Sequence, residues 1–163
     1  MSIVDLFQEK TVFSFEVFPP RRNSPIETIY DTLDELRDLK PDFISVTYGA
    51  GGGKNNQSTI PIAEHIKKVC EVPSVVHFPC INLTKQDVLE KIEELKTAGI
   101  KNILALRGDI PEGEENRGDF RYASDLIAFL KEHGNFHISA ACYPEGHIES
   151  ADRVEDIRYL KNK

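Results

Sequence analysis

Short apolar runs alternate with amphipathic segments five times along this sequence, and this alternation limits the possible folds more than any other feature. Each unit is roughly thirty residues long, the size of a strand followed by a helix in a parallel α/β fold. Two architectures are compatible with it: a doubly wound open sheet, or part of a (β/α)8 barrel. Five units suffice for a flavodoxin-like domain, whereas a closed barrel needs eight units and about 250 residues. The predicted strands are 11–18, 43–46, 75–78, 103–106 and 136–142.

The segments between the strands carry the start and stop signals of helices. Ser24-Pro25-Ile26-Glu27 is a predicted capping box with proline at the first helical position, and Thr84-Lys85-Gln86-Asp87 predicts a second helix start. Gly99 and Gly134 are predicted to end helices, and Ser150 to cap the last one. The predicted inward faces hold Ile26, Ile29, Leu33, Leu36 and Leu39; then Ile62, Ile66 and Val69; then Val88, Leu89, Ile92 and Leu95; then Leu126, Ile127, Phe129 and Leu130 in helix 122–132; and finally Val154, Ile157 and Leu160.

The composition is that of one ordinary globular domain spanning residues 1–163, with 40% hydrophobic and 29% charged residues. No apolar stretch approaches the roughly 20 residues of a membrane span, and the first ten residues lack the layout of a signal peptide. We therefore expect a soluble cytoplasmic protein. The net charge of -7, without a lysine or arginine cluster, argues against nucleic acid as a partner and favours small-molecule ligands.

Polar side chains stand at the carboxyl end of every predicted strand. Carboxyl ends of parallel strands meet at one face in both architectures, and chemistry in such sheets sits there. The sequence therefore predicts a polar small-molecule site assembled from all five strands. Its members are Glu16, Thr47, Tyr48, His77, Arg107, Asp109, Tyr143, Glu145 and His147.

The fourth strand ends most abruptly. The apolar run 103–106 predicts a strand buried on both faces, and it stops at Arg107, Gly108 and Asp109. Gly108 would let the backbone approach a ligand closely. Arg107 and Asp109 could instead pair with each other or cap the next helix. The long loop 107–121 that follows is of the kind that often forms a functional lid.

Two of these residues have simpler alternatives. Glu16 lies between Phe15 and Val17, and apolar surroundings raise a carboxyl pKa and suit a general acid near neutral pH. It could equally be paired with a neighbouring arginine, Arg21 or Arg22. A histidine inside Val-Val-His-Phe is often a hydrogen-bonded core residue. Tyr48 and Tyr143 could stack on a ring-shaped ligand or only cover the mouth of the site.

Several other chemistries find little support. The glycine run after Tyr48 has Lys54 where a dinucleotide fingerprint needs its third glycine, and Lys54 has no P-loop context. Glu145 and His147 alone predict a metal site only weakly, and Cys70, Cys80 and Cys142 have neither disulfide nor zinc-ligand spacing, so we predict no metal. The strand ends carry no lysine for Schiff-base chemistry. Composition and pattern alone do not name a reaction.

Four motifs occur in register along the chain: Phe15-Glu16-Val17-Phe18-Pro19-Pro20-Arg21, Val46-Thr47-Tyr48-Gly49-Ala50, Leu106-Arg107-Gly108-Asp109 and Tyr143-Pro144-Glu145-Gly146-His147. In this order and spacing they resemble the methylenetetrahydrofolate reductase family. The resemblance runs from the first predicted strand to the last residue, and it implies a (β/α)8 barrel that binds FAD without a Rossmann motif. It also implies hydride transfer from NAD(P)H through the flavin to 5,10-methylenetetrahydrofolate, giving 5-methyltetrahydrofolate in the one-carbon and methionine pathway.

The resemblance also assigns roles. It implies that Glu16 is the general acid that opens the folate's imidazolidine ring to an iminium. Asp109 would lie near both flavin and folate, tuning the flavin potential and stabilising positive charge on the substrate. Both would thus contact the substrate. The implied FAD-binding positions are Thr47, Tyr48, His77, Arg107, Gly108, Asp109, Tyr122, Ala123, Tyr143, His147, Ser150, Asp156, Tyr159 and Lys163.

The length departs from the family pattern, because the barrel would need three more strand–helix units. We expect a piece of a longer protein or a naturally short one, containing about the first five units. A truncated non-catalytic FAD-binding half-barrel, an interaction piece without ligand and an unrelated flavodoxin-like binding domain remain as alternatives. Exposed edges and apolar helix faces on such a piece predict a homo-oligomer.

Overall fold

The computed structural model describes residues 2–20, 25–48, 58–110, 113 and 115–163. Helices and strands alternate along them as the sequence predicts, with one additional helix at the start. The elements are α1 (Ile3–Glu9), β1 (Ser14–Val17), α2 (Glu27–Asp38), β2 (Phe43–Val46), α3 (Thr59–Lys68), β3 (Ser74–Pro79), α4 (Lys85–Thr97), β4 (Asn102–Leu106), α5 (Ala123–His133), β5 (His137–Ala140) and α6 (Arg153–Asn162).

The five strands form one parallel sheet in the order β1-β2-β3-β4-β5. A flavodoxin-like sheet would place β2 outside β1, so the doubly wound alternative is wrong for this chain. Consecutive parallel strands joined by helices are the arrangement found along part of a (β/α)8 barrel.

The α2–α5 helices pack on one face of the sheet, which we call the helix face. Val17, Val46, Val76 and Ile103 lie in one register row there. They share a buried core with side chains from the helices, namely Leu33, Ile62, Ile66, Ile92, Leu126 and Leu130. Because side chains alternate along a strand, the neighbouring row lies on the opposite face, which we call the open face. Glu16, Ser45, Val75, Asn102 and His137 form that row.

Helix α1, absent from the sequence prediction, covers the amino-terminal part of the open face. Ser2 caps it by accepting a hydrogen bond from the Val4 amide. Ile3 and Leu6 are buried against Val75. The Ile3 amide also donates to Asn102 Oδ1 over 3.3 Å, which ties the helix to the middle of the sheet. The carboxyl ends of the strands are thus left for a site.

Strand β4 differs from its prediction. Ile103 and Ala105 are buried on the helix face, whereas Leu104 and Leu106 are only half-buried. The prediction of burial on both faces was wrong because α2–α5 cover only the helix face. On the open face, Leu104 is only partly buried, against the cluster that Ile3 and Leu6 of α1 form with Val75. Strands β1 and β5 are also shorter than predicted, with four residues each.

Several predicted helix faces need correction. Leu39 and Val69 are exposed at helix ends, and Leu89 is half-buried. Helix α2 begins at Glu27 rather than at Pro25; Ser24, on which the capping box depends, lies outside the described residues. Elsewhere the signals are confirmed: Thr84 and Asp87 form a capping box, and Gly99 adopts a φ of +69° just beyond α4.

Helix α6 departs furthest from its prediction. Asp152, not Ser150, caps it, and none of its residues is buried. Val154, Ile157 and Leu160 are exposed because no described element packs over them. No described helix is long and apolar enough to cross a membrane.

Candidate functional site

A cavity of about 610 Å³ opens at the carboxyl ends of β4 and β5 and extends along α6. Every cofactor-binding residue predicted from β4 onward lines it. These are Arg107, Gly108, Asp109, Tyr122, Ala123, Tyr143, His147, Ser150, Asp156, Tyr159 and Lys163. The volume lies within the range of small-molecule sites, about 300–1,000 Å³.

Arg107 and Glu149 form a bidentate ion pair in this cavity. The Arg107 Nη1 and Nη2 atoms lie 2.5 Å and 2.7 Å from the two Glu149 carboxylate oxygens. The hydrogen bonds to Glu149 raise the pKa of Arg107, and the same bonds lower the pKa of Glu149. The Arg107 side chain is only 19% exposed, whereas that of Glu149 is 58% exposed. A fixed cation is therefore held behind a carboxylate that water can reach.

Gly108 brings the backbone close to the β3–α4 loop. Its φ is +87°, and a Cβ at this position would lie 2.8 Å from Ile81 Cγ2. The Ile81 amide donates to the Arg107 carbonyl over 2.7 Å. The positive φ and the close contact explain why only glycine fits here, in agreement with the predicted close approach of the backbone.

Residues before and within α6 shape the opposite wall. The Ser150 hydroxyl donates to Asp156 Oδ1 over 2.8 Å, and the His147 amide donates to Asp156 Oδ2 over 3.2 Å. Lys163 Nζ donates to the Ala141 carbonyl over 3.2 Å, joining the end of α6 to the chain after β5. The loop and helix are thus fixed to each other by Asp156.

Three tyrosines give the cavity flat apolar surface. Tyr122, Tyr143 and Tyr159 are each about half exposed, at 49%, 50% and 52%. The Tyr143 ring meets the His147 ring edge to face at 4.7 Å. Half-exposed aromatic rings beside a partly buried cation can hold a ligand that combines a planar ring with an anionic group.

The loop between β4 and α5 is anchored over its second half, which differs from the predicted lid. Asn116 Oδ1 accepts hydrogen bonds from the Asn82 and Gly118 amides over 3.1 Å and 2.9 Å. The Arg117 amide donates to Asn82 Oδ1 over 2.9 Å. A Cβ on Gly118 would lie 2.4 Å from the Leu83 carbonyl oxygen, so the two loops pack backbone to backbone.

The predicted acid, Glu16, pairs with His77 across the open face. Glu16 Oε2 lies 3.3 Å from His77 Nε2. The Glu16 side chain is 51% exposed, so the apolar surroundings expected from Phe15 and Val17 are absent. Those neighbours in sequence point to the other face of the strand. The alternative partners Arg21 and Arg22 lie outside the described residues.

Burial lowers the pKa of His77, and the nearby Glu16 carboxylate opposes that change. His77 is 9% exposed, and its Nε2 faces a carboxylate oxygen. Burial therefore favours a neutral imidazole at neutral pH, with Nε2 at 3.3 Å from a Glu16 carboxylate oxygen. Neither Glu16 nor His77 lines the 610 Å³ cavity.

Thr47 and Tyr48, at the end of β2, also lie outside that cavity. Tyr48 lines a much smaller gap with His77 and with Lys91 of α4. Burial raises the pKa of Tyr48. The Tyr48 hydroxyl and Thr47 Oγ1 are buried and have no hydrogen-bond partner among the described residues. The glycine run that follows Tyr48 lies outside those residues.

Sequence reasoning missed three polar residues of the cavity: Ser124, Glu149 and Asn162. Glu149 matters most because it pairs with Arg107. The two residues are 42 positions apart, and no local periodicity signals their contact. Glu145 was predicted at the site but does not line the cavity.

The structure resembles solved α/β proteins at the level of the fold. A 4-hydroxy-tetrahydrodipicolinate synthase from Methylacidiphilum fumariolicum SolV matches with a TM-score of 0.54 and 13% identity, covering 94% of this chain and 52% of that one. At that identity the likeness supports a shared fold alone.

Sequence comparisons are more specific. A 5,10-methylenetetrahydrofolate reductase from Pectobacterium carotovorum is 41% identical over 150 residues, covering 92% of this chain and 49% of its own. The protein of that name from Escherichia coli is 40% identical, with coverages of 92% and 50%. Methylenetetrahydrofolate reductase 1 of Schizosaccharomyces pombe is 35% identical, with coverages of 96% and 27%. The chain thus spans about half the length of the bacterial relatives.

A sequence model of methylenetetrahydrofolate reductase matches residues 2–163. Since that match covers nearly the whole chain, the protein belongs to the methylenetetrahydrofolate reductase family.

Proposed function

We propose that this chain forms the first five units of a (β/α)8 catalytic barrel that reduces 5,10-methylenetetrahydrofolate to 5-methyltetrahydrofolate with NAD(P)H and FAD. The observation that best supports this proposal is that the predicted cofactor-binding residues from β4 to the end of α6 line one cavity. The consecutive strand order and the packing of α2–α5 on one face of the sheet support the barrel. Family membership supports the reaction.

The cavity residues have the chemistry that FAD requires. The Arg107 guanidinium and the Lys163 ammonium could neutralise a diphosphate, Asp156 and Ser150 could bind hydroxyl groups, and the tyrosines could pack against flat rings. The Gly108 backbone would come close to the ligand without a side chain between them. When bound, FAD supplies the electron relay between NAD(P)H and the folate.

Glu16 and Asp109 are the proposed catalytic carboxyl groups. Glu16 would take up a proton from water and donate it to open the imidazolidine ring, and its position at the exposed end of β1 makes it accessible to water and substrate. His77 would hold the Glu16 carboxyl through Nε2 and orient it. Asp109 is exposed in the cavity wall, where its charge would stabilise positive charge on the folate.

Flavin uptake tests the cofactor part of this proposal. The purified chain is mixed with FAD, passed through a gel-filtration column, and its visible absorption spectrum is recorded. We expect flavin bands that elute with the protein, followed by NADH or NADPH oxidation in an assay with menadione as acceptor. A colourless protein at saturating FAD would overturn FAD binding by these five units.

We also propose that the chain forms a homo-oligomer. Helix α6 exposes Val154, Ile157 and Leu160, and β5 is a half-buried edge strand among the described residues. Exposed apolar rows and free strand edges favour association between copies.

A further inference from the structure

A second cluster of ligating side chains lies in the helix layer, between α2 and the end of α3. Asp34 comes from α2, His65 from the last turn of α3, and Cys70 from the segment just after that helix. One carboxylate oxygen, one imidazole nitrogen and the Cys70 sulfur lie within 4.8 Å of one another. None of these residues lines the 610 Å³ cavity, and the proposed reaction uses none of them.

Backbone geometry brings the three side chains together. The Cys70 amide donates to the His65 carbonyl over 3.2 Å, so the chain turns tightly at the end of α3 and places the thiol beside the imidazole. The thiol faces α2, with Sγ 3.9 Å from the Leu33 carbonyl oxygen and 4.0 Å from Asp34 Oδ1. Cys70 is 4% exposed, so its sulfur is held inside the protein.

The imidazole of His65 is held in place by a neighbouring ring, but one of its nitrogens has no hydrogen-bond partner among the described residues. Its ring stacks on Tyr30 with centroids 4.2 Å apart and 15° between planes. Its Nε2 is buried and has no hydrogen-bond partner among the described residues. A buried ring nitrogen without a partner, on an imidazole that lies beside a thiol and a carboxylate, is an unusual arrangement, because buried polar atoms are nearly always paired.

We infer that Asp34, His65 and Cys70 bind a divalent ion of the zinc class, with the fourth position left to water. Nitrogen, sulfur and oxygen ligands from three side chains are a donor set that Zn²⁺ and Co²⁺ accept in tetrahedral geometry. On binding, the thiol loses its proton to solvent and the sulfur becomes a thiolate ligand. The site goes beyond the flavin-dependent reaction and differs from the prediction of no metal.

Charged neighbours leave room for the ion. Arg37 Nη1 lies 3.7 Å from Asp34 Oδ1, and the Arg37 side chain is 44% exposed. Such an exposed pair contributes about 1 kcal/mol or less, so an ion can displace Arg37. Glu64, on the same helix as His65, pairs with Lys68 and is not a ligand. Glu27 lies near the Tyr30 ring that stacks on His65.

Cobalt provides the direct probe, because a thiolate bound to tetrahedral Co²⁺ gives a near-ultraviolet charge-transfer band and intense visible bands. The untagged chain is titrated with Co²⁺ in the presence of a mild reductant. We expect these bands to saturate at one equivalent and to disappear when Zn²⁺ is added. Their absence from the folded wild-type chain would overturn the site.

Matched variants separate this site from adventitious binding. Cys70→Ser should abolish the charge-transfer band, whereas Cys142→Ser, at an exposed cysteine, should retain it. Asp34→Asn should weaken Co²⁺ binding by on the order of tenfold or more. Since Asp34 is 48% exposed, that variant should fold even where Cys70→Ser does not. An unchanged band in Cys70→Ser, or an unchanged affinity in Asp34→Asn, would refute the assignment.

Thermal unfolding gives an independent readout. An ion that joins α2 to the end of α3 binds the folded chain and not the unfolded one, so Zn²⁺ should raise the midpoint of wild type and of Cys142→Ser. The midpoints of Asp34→Asn and His65→Gln should show little change with Zn²⁺. An equal rise in all four proteins would show binding elsewhere and overturn the proposal.

Discussion

Glu16 Oε2 lies 3.3 Å from His77 Nε2, although the two residues belong to strands separated by β2. The contact arises because both side chains point to the open face near the carboxyl ends of their strands. Glu16 is half exposed and His77 is nearly buried. A nearly buried imidazole thus lies beside a carboxyl group that solvent can reach.

Replacing the acid should separate the two half-reactions of the proposed enzyme. Glu16→Gln removes the proposed proton donor but leaves the 610 Å³ cavity intact, since Glu16 does not line it. We expect reduction of bound FAD by NAD(P)H to stay near the wild-type rate, and folate reduction to fall by about 10²-fold or more. Stopped-flow absorbance measures each step. Equal losses in both steps would show that Glu16 is not the acid.

The same variant should change the titration of His77. Burial lowers the pKa of His77, and Glu16 counteracts this because its negative charge favours the imidazolium. Glu16→Gln should therefore lower the pKa of His77 further, as followed by the imidazole proton shifts in NMR. Glu35→Gln, an exposed change on α2, is the control. A raised or unchanged value in Glu16→Gln would contradict the pairing.

This shift also has a consequence for stability. The unfolded chain binds a proton at His77 near the ordinary pKa of about 6.5, more readily than the folded chain does. The free energy of unfolding contributed by neutral His77 is therefore fully present above that value and is lost as pH falls through the lowered folded pKa. The loss on acidification should be steeper in Glu16→Gln than in Glu35→Gln, as measured by urea unfolding at several pH values.

The Arg107–Glu149 pair should compete with the cofactor. An anionic ligand must take hydrogen bonds that Arg107 now gives to Glu149. Glu149→Gln should therefore tighten FAD binding roughly fivefold, the effect of losing an exposed ion pair worth up to about 1 kcal/mol. Flavin fluorescence titration measures the affinity.

Arg107→Gln should have the opposite effect. Loss of hydrogen bonds from a charged donor, each about 1.5–3 kcal/mol, should weaken FAD binding by about tenfold or more. Arg158→Gln, an exposed change on α6 outside the cavity, serves as the control. If Glu149→Gln weakens binding as much as Arg107→Gln, the carboxylate supports the ligand instead of competing with it.

The sequence predicts those parts of the fold that depend on local pattern. The strands at 43–46 and 103–106, the Thr84–Asp87 cap and Gly99 follow from chemistry within a few residues. The residues that were predicted for the cavity, from Arg107 to Lys163, follow from the resemblance to the family. None of these predictions requires knowing which helix covers which face of the sheet.

The missed features depend on contacts between distant segments. Helix α1 has only seven residues and gains its burial from Val75 and the open face. Glu149 reaches Arg107 only once β5 and its following loop are in place. The amphipathic pattern of α6 predicts a buried face but says nothing about what packs on it, and in the described chain Ile157 is 65% exposed.

Asn116 should be a main anchor of the loop between β4 and α5. Its side chain accepts from two backbone amides and donates from Nδ2 to the Phe120 carbonyl over 2.6 Å. Asn116→Ala would leave these half-buried groups unpaired and should lower the free energy of unfolding by about 1–3 kcal/mol. Gln86→Ala, which removes one surface hydrogen bond on α4, should cost less than about 0.5 kcal/mol.

Hydrogen exchange can localise that effect. In Asn116→Ala the amides of Asn82 and Gly118 should lose protection, while amides in the centre of β3 should change only with global stability. Asn116→Asp keeps the acceptor oxygen and loses only the donor to Phe120, so it should fall between wild type and Asn116→Ala. Equal unfolding free energies for Asn116→Ala and Gln86→Ala would show that the loop is not held this way.

Self-association should depend on the exposed face of α6. Val154, Ile157 and Leu160 are 61%, 65% and 44% exposed, and burying them between copies would remove apolar surface from water at about 25 cal/mol per Å². Ile157→Lys puts a charge in this row and should shift the chain towards monomer without loss of stability, because the side chain contributes little to the core. Sedimentation velocity over a range of concentrations measures the shift.

Lys161→Gln, at an exposed polar position on the same helix, should associate like wild type. A wild-type chain that stays monomeric at high concentration would contradict the association, and an oligomer unaffected by Ile157→Lys would place the contact on another surface.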